Sequence, residues 1–125
     1  MTTRILVVED NPANMKLATL LLARAGYEVL SAVNATEGMA FAQTFQPALV
    51  LMDIQLPGMD GLEATRRLKA DPMTRDIRVV ALTAFAMKGD EERMRAAGCD
   101  GYIAKPFEYK AFLQEVTRLL GNGKD

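Results

Sequence analysis

The sequence predicts an α/β domain built on a five-stranded parallel sheet, and three observations carry that expectation. Short apolar runs alternate five times with segments of helical period. Three of those runs, Ile5–Val8, Leu49–Met52 and Val79–Leu82, are continuously apolar, the pattern of strands covered on both faces. Helix start and stop signals fill the gaps between runs, so the strands are joined by crossovers, which are right-handed in such sheets.

The first run, Ile5–Val8, leads to Asn11-Pro12, an N-cap followed by proline at the first helical position, and Gly26 ends that helix after Ala25. The second run is Glu28–Ala32. Asn34 with Glu37 three residues on resembles a capping box for the second helix, with Asn in place of Ser or Thr. Leu49–Met52 follows, then a helix from about Gly61 to Ala70 that stops before Asp71-Pro72. Val79–Leu82 precedes a helix over roughly Gly89 to Ala97, closed by Gly98. The last run, Tyr102–Ala104, precedes a helix that places Phe112, Leu113, Val116, Leu119 and Leu120 on one face before the "GNGKD" tail. No linker or low-complexity tract interrupts the series. Residues 1–125 read as one domain without room for an output domain.

Composition narrows the function classes. The 125 residues are 50% hydrophobic and 25% charged, with a net charge of -1, so no global field draws the chain to nucleic acid or anionic lipid. No apolar stretch suits a signal peptide or a membrane span, and Cys99 is the only cysteine, as expected of a cytoplasmic protein. There is no histidine. That excludes Ser-His-Asp and Cys-His nucleophile systems and every histidine-ligated metal site.

The stretch "LVLMDIQLPGMDG" raises the functional question, because its apolar run ends in a carboxylate, Asp53, where an unpartnered charge is costly to bury. In open parallel sheets, function gathers at the carboxyl ends of the strands. Those ends read Glu9-Asp10, Ala32-Val33, Asp53, Thr83-Ala84 and Lys105-Pro106. Each residue alone has an ordinary explanation as a cap, a turn or a solvated charge. Together they put three carboxylates, a hydroxyl and a lysine at one edge. Clustered carboxylates repel unless cations sit among them. Lys105 supplies one, and the remainder calls for a hard divalent ion, Mg²⁺ above all, with Mn²⁺ able to substitute. An aspartate oxygen beside such an ion is a credible nucleophile toward phosphorus, with the lysine and threonine bonding the transferred phosphoryl oxygens.

The motifs "VVEDN" (Val7–Asn11), "LMDIQLPGMDG" (Leu51–Gly61), "LTA" (Leu82–Ala84) and "YIAKP" (Tyr102–Pro106) resemble a response-regulator receiver domain over essentially the whole chain, in family order and spacing. The resemblance implies a flavodoxin-like three-layer sandwich with strand order 2-1-3-4-5. It implies Asp53 as phosphoacceptor, Asp10 as direct metal ligand, and Glu9 as the acidic neighbour reaching the ion through water. It further implies Gln55 as donor of a backbone carbonyl to the metal, Thr83 as switch hydroxyl and Lys105 as phosphate-binding lysine. Pro106 matches a proline whose peptide bond is usually cis, and Tyr102 an aromatic that changes rotamer on activation. Glu9 departs from the commoner aspartate.

The partners so implied are a histidine kinase or a histidine phosphotransfer protein upstream and a protein target downstream, with no nucleic acid and no membrane. Phosphorylation would draw Thr83 toward Asp53, pull the loop Ala84 to Gly89, and let Tyr102 turn inward, reshaping the face of the fourth helix, fifth strand and fifth helix. Within the family, "TAFAMKGDEERMRAAGCDGYIAKP" resembles single-domain regulators of the bacterial cell cycle, and also receivers attached to hybrid histidine kinases. A small phosphatase working through an aspartyl-phosphate is the enzyme alternative. It usually places a second aspartate two residues after the nucleophile, where this chain has Gln55. A flavin or nucleotide carrier should have a Gly-, Ser- or Thr-rich first loop to cradle phosphate, where this chain has "EDNPAN".

Overall fold

A computed structural model describes residues 2–84 and 88–121. Five strands, β1 (Arg4–Val8), β2 (Glu28–Ala32), β3 (Leu49–Asp53), β4 (Arg78–Thr83) and β5 (Gly101–Ala104), alternate with five helices. The helices are α1 (Pro12–Arg24), α2 (Ala35–Phe45), α3 (Gly61–Ala70), α4 (Lys88–Ala97) and α5 (Tyr109–Gly121). All strand pairings are parallel and the sheet order is β2-β1-β3-β4-β5, the order implied by the resemblance. Residues 85–87, at the centre of the expected switch loop, and the tail after Gly121 lie outside the described residues.

The strands run slightly beyond the apolar runs because pairing, not hydrophobicity, sets their ends. Arg4 joins β1 by pairing with Glu28, and their side chains form an ion pair at 3.5 Å. Asp53 and Thr83 extend β3 and β4 by pairing with Leu82 and Ala104. The three continuous runs are the three inner strands, buried almost throughout, while the edge strands β2 and β5 are only partly covered.

Alternate residues of each inner strand supply two cores. Ile5, Val7, Leu49, Leu51, Val80 and Leu82 face α1 and α5, meeting Leu22, Phe112 and Val116. Leu6, Val8, Val50, Met52 and Val79 face the opposite way, against Ala35, Ala42, Ala64 and Leu68 of α2 and α3. Each such aliphatic side chain contributes roughly 1.5–3 kcal/mol when fully buried. A smaller cluster, Leu62, Ala81, Met94 and Ala97, seats α4.

The caps follow the sequence with one local difference. Asn11 Oδ1 accepts from the Asn14 N–H at 3.0 Å with Pro12 in the first turn, and Gly26 takes φ 98° after α1. Asn34 Oδ1 accepts from the Glu37 N–H at 2.8 Å, but the Glu37 carboxylate returns to the N–H of Val33, at 2.8 Å, rather than to that of the cap residue. The box therefore closes one residue earlier than the standard pattern.

Candidate functional site

Because all strands are parallel, their carboxyl ends share one edge of the sheet, and the chemistry-bearing residues arrive there by position alone. Glu9 leaves β1 with its N–H bonded to the Ala32 carbonyl at 3.0 Å, and Asp53 is the last residue of β3. Lys105 leaves β5 with its N–H bonded to the Thr83 carbonyl at 2.8 Å. Backbone bonds between neighbouring strands thus fix the bases of three of the charged side chains before any side-chain contact is made.

The side chains then converge. Lys105 Nζ lies 2.9 Å from Asp53 Oδ2 and 3.0 Å from Glu9 Oε1. Asp53 Oδ1 accepts the Gln55 N–H at 2.9 Å, and Glu9 Oε2 accepts the Asn11 N–H at 3.0 Å. Glu9, Asp53 and Thr83 are buried, while Asp10 is exposed at the rim. Oxygens of Glu9, Asp10 and Asp53 all fall within 4.8 Å of one another.

Burial pushes the Glu9 carboxyl above the usual carboxylate range, and the neighbouring Asp53 pushes it further. Burial alone would lower the Lys105 ammonium, but the two carboxylates, Asp53 foremost, outweigh it and leave Lys105 raised. A lysine flanked by two buried carboxylates stays charged.

One cation among three carboxylates leaves the group short of positive charge. Glu9 Oε1 supplies an independent test of what else the site accommodates. It is buried and close enough to Lys105 for an ion pair, yet among the described residues it has no hydrogen-bond partner. A buried carboxylate oxygen with unused acceptor capacity, grouped with two more carboxylates open to solvent through Asp10, is the donor set of a hard divalent cation. The residues fit Mg²⁺.

Glu9, Asp10, Asp53 and Lys105 are thus brought together, with Gln55 joining through its N–H. Thr83 ends the adjacent strand. The Lys105–Pro106 peptide bond is cis. Tyr102 does not face the carboxylates. Its hydroxyl donates to Glu91 on α4. Two participants escaped the sequence reading: Asn11, seen there as a helix cap and here also donating to Glu9, and Glu91, whose contact spans two elements and leaves no local signal.

Residues 5–117 match the response regulator receiver domain family. The chain is 47% identical to the polar-differentiation response regulator DivK of Brucella ovis, over 98% of this chain and 99% of that protein. Among solved structures, it is similar to the receiver domain of the sensor histidine kinase PA1611 from Pseudomonas aeruginosa, which holds a magnesium ion in its active-site cleft. That likeness has a TM-score of 0.89 at 35% identity, over 97% of this chain and 99% of the other. The chemotaxis protein CheY4 of Vibrio cholerae superposes with a TM-score of 0.91 at 25% identity, over 96% of this chain and all of that one. The chain belongs to the response regulator receiver family, a family of signalling regulators.

Proposed function

We propose that this chain is a single-domain response regulator that takes a phosphoryl group onto Asp53 from the phosphohistidine of a kinase or phosphotransfer protein. The observation that carries the reading is Asp53 itself, a residue 2% exposed whose carboxylate is bonded to Lys105 and grouped with Glu9 and Asp10. Glu9, Asp10 and Asp53, with the Gln55 carbonyl, would hold Mg²⁺, which supplies charge neutralisation for phosphoryl oxygens when bound.

The chain's own residues do the rest. A carboxylate oxygen of Asp53 attacks phosphorus, the P–N bond to the donor imidazole breaks, and the electron pair leaves with the imidazole. The product is an acyl phosphate. Lys105, already 2.9 Å from Asp53, is placed to neutralise an oxygen of the arriving group without reorganising. The Gln55 N–H orients the acceptor carboxylate. Thr83 supplies the hydroxyl that responds to the new phosphoryl oxygens, and Tyr102 relays that response to the face formed by α4, β5 and α5. That face meets a protein target. The kinship with DivK supports a role in polarity or cell-cycle control.

The test is incorporation of phosphate from acetyl phosphate with and without Mg²⁺. Base-labile label should appear only with the metal and vanish in Asp53→Asn. Label retained at full level in Asp53→Asn refutes the assignment.

A further inference from the structure

Tyr102 is half-buried on the edge strand β5, and its ring stands between two hollows. One, of about 450 Å³, runs between β5 and α5 past Ile103, Pro106 and Ala111; the other, about 50 Å³, lies toward α4 beside Met94 and Cys99. Tyr102 lines both hollows. The shape of this face therefore depends on what holds the ring.

What holds it is a carboxylate on α4. The Tyr102 hydroxyl donates to Glu91 Oε2. Among the described residues Glu91 makes no ion pair, and Arg93 is held by Asp90 at 3.3 Å. The helix it sits on is lightly anchored. In "KGDEERMRAA" the buried side chains among the described residues are Met94 and Ala97. A helix seated by so little apolar surface depends strongly on each remaining contact.

We propose that Glu91 is a positioning residue that holds Tyr102 against α4 while Asp53 is unmodified, so that this one carboxylate helps to set the switching equilibrium. The proposal rests on the phosphoacceptor reading of Asp53 and adds to it the restraint that opposes switching. A conformer in which Tyr102 leaves Glu91 must break their bond. The free energy of that bond is then a differential term between the two states, the only kind that moves such an equilibrium.

The experiment measures apparent affinity for beryllofluoride with Mg²⁺, together with the NMR signals of ¹³C-labelled tyrosine rings, in the wild type, Glu91→Ala, Glu91→Gln, Tyr102→Phe and the Glu91→Ala/Tyr102→Phe double variant. Glu92→Ala, an exposed neighbour with the same change in charge, is the control. Glu91→Ala and Tyr102→Phe should each tighten beryllofluoride binding about fivefold, as expected for one hydrogen bond. The double variant should gain no more than either single, Glu91→Gln should fall between, and Glu92→Ala should match the wild type. The Tyr102 ring signals of Glu91→Ala should move toward their beryllofluoride positions before any ligand is added. A wild type that responds while Glu91→Ala and Tyr102→Phe bind no more tightly than it does overturns the restraint and leaves Asp53 as acceptor. A wild type that gives no response with the metal present removes the acceptor reading and the restraint with it.

Discussion

Lys105 and Asp53, fifty-two residues apart in sequence, meet at 2.9 Å, and the same ammonium reaches Glu9 at 3.0 Å. Side-chain exposures are 15% for Lys105, 3% for Asp53 and 1% for Glu9, so water screens this triad poorly. Lys105→Met should cost about 3 kcal/mol in metal-free urea unfolding, because it leaves two buried carboxylates facing each other. Adding Asp53→Asn to that variant should recover part of the loss, a non-additivity that a double-mutant cycle reads directly. Mg²⁺ should recover part of it in the single variant.

Gly61 opens α3 with its N–H bonded to the Ile54 carbonyl at 3.3 Å. A Cβ there would lie 2.1 Å from the Asp53 carbonyl oxygen and 2.7 Å from Ile54 Cα, both backbone atoms that cannot step aside. Gly61→Ala should therefore destabilise by about 3 kcal/mol and weaken Mg²⁺ binding, since the strand end carrying Asp53 must shift. Gly58, three residues earlier, has φ 77° and open space around it. Gly58→Ala should cost only about 1 kcal/mol of backbone strain. Thermal unfolding of the two variants side by side tests the contrast.

What the sequence disclosed and what it hid divide along a physical line. Strands covered on both faces write continuous apolar runs, so β1, β3 and β4 were legible from Ile5–Val8, Leu49–Met52 and Val79–Leu82. In a parallel sheet the residue after such a run sits at the common edge, so Glu9, Asp53 and Lys105 could be grouped without coordinates. Strand order could not be read that way. Nothing in the spacing of β2 says that it pairs with β1 rather than with β3, and the order came from the family resemblance. Contacts between side chains of different elements were equally silent, as with Tyr102 and Glu91. Gly61 was visible as the start of the third helix, but the reason it must lack a Cβ is a close approach to β3 that only the folded chain contains.

Lys69 illustrates the same limit at the opposite end of the sheet. From the last turn of α3 its Nζ donates to the Ile77 carbonyl at 2.7 Å, the Arg75 carbonyl at 3.3 Å and Asp100 Oδ2 at 3.0 Å. Asp100 in turn accepts the Val79 N–H at 2.8 Å, so one lysine ties the loops that enter β4 and β5. Lys69→Met should cost about 1–2 kcal/mol by leaving these acceptors short of a donor. Mg²⁺ affinity should be unchanged, because the clamp lies at the amino ends of the strands. Urea unfolding and metal titration of the same variant separate the two effects.

Cys99 lies beside that clamp, half-buried between α4 and β5. Burial pushes its thiol up to about 11 from an ordinary 9.0, with the Asp100 carboxylate adding to the rise and Thr65 and Lys69 opposing it. Only the thiolate is a nucleophile, so at pH 8 a two-unit rise leaves about a hundredfold less of it than in a free thiol. Alkylation by iodoacetamide in native buffer should be slower by about that factor and reach the free-thiol rate in urea. The same shift has a consequence for stability. A thiol whose folded pKa exceeds its unfolded pKa holds its proton more tightly in the native state, so unfolding releases protons between the two values. Its contribution is fully present below pH 9 and is lost as pH rises through about 11. Tyrosines and lysines titrate in the same window, so the quantity to measure is the difference between the wild type and Cys99→Ala. That difference should narrow in favour of Cys99→Ala as pH goes from 8 to 11. A difference independent of pH would mean that Cys99 ionises as freely in the native state as in the unfolded chain.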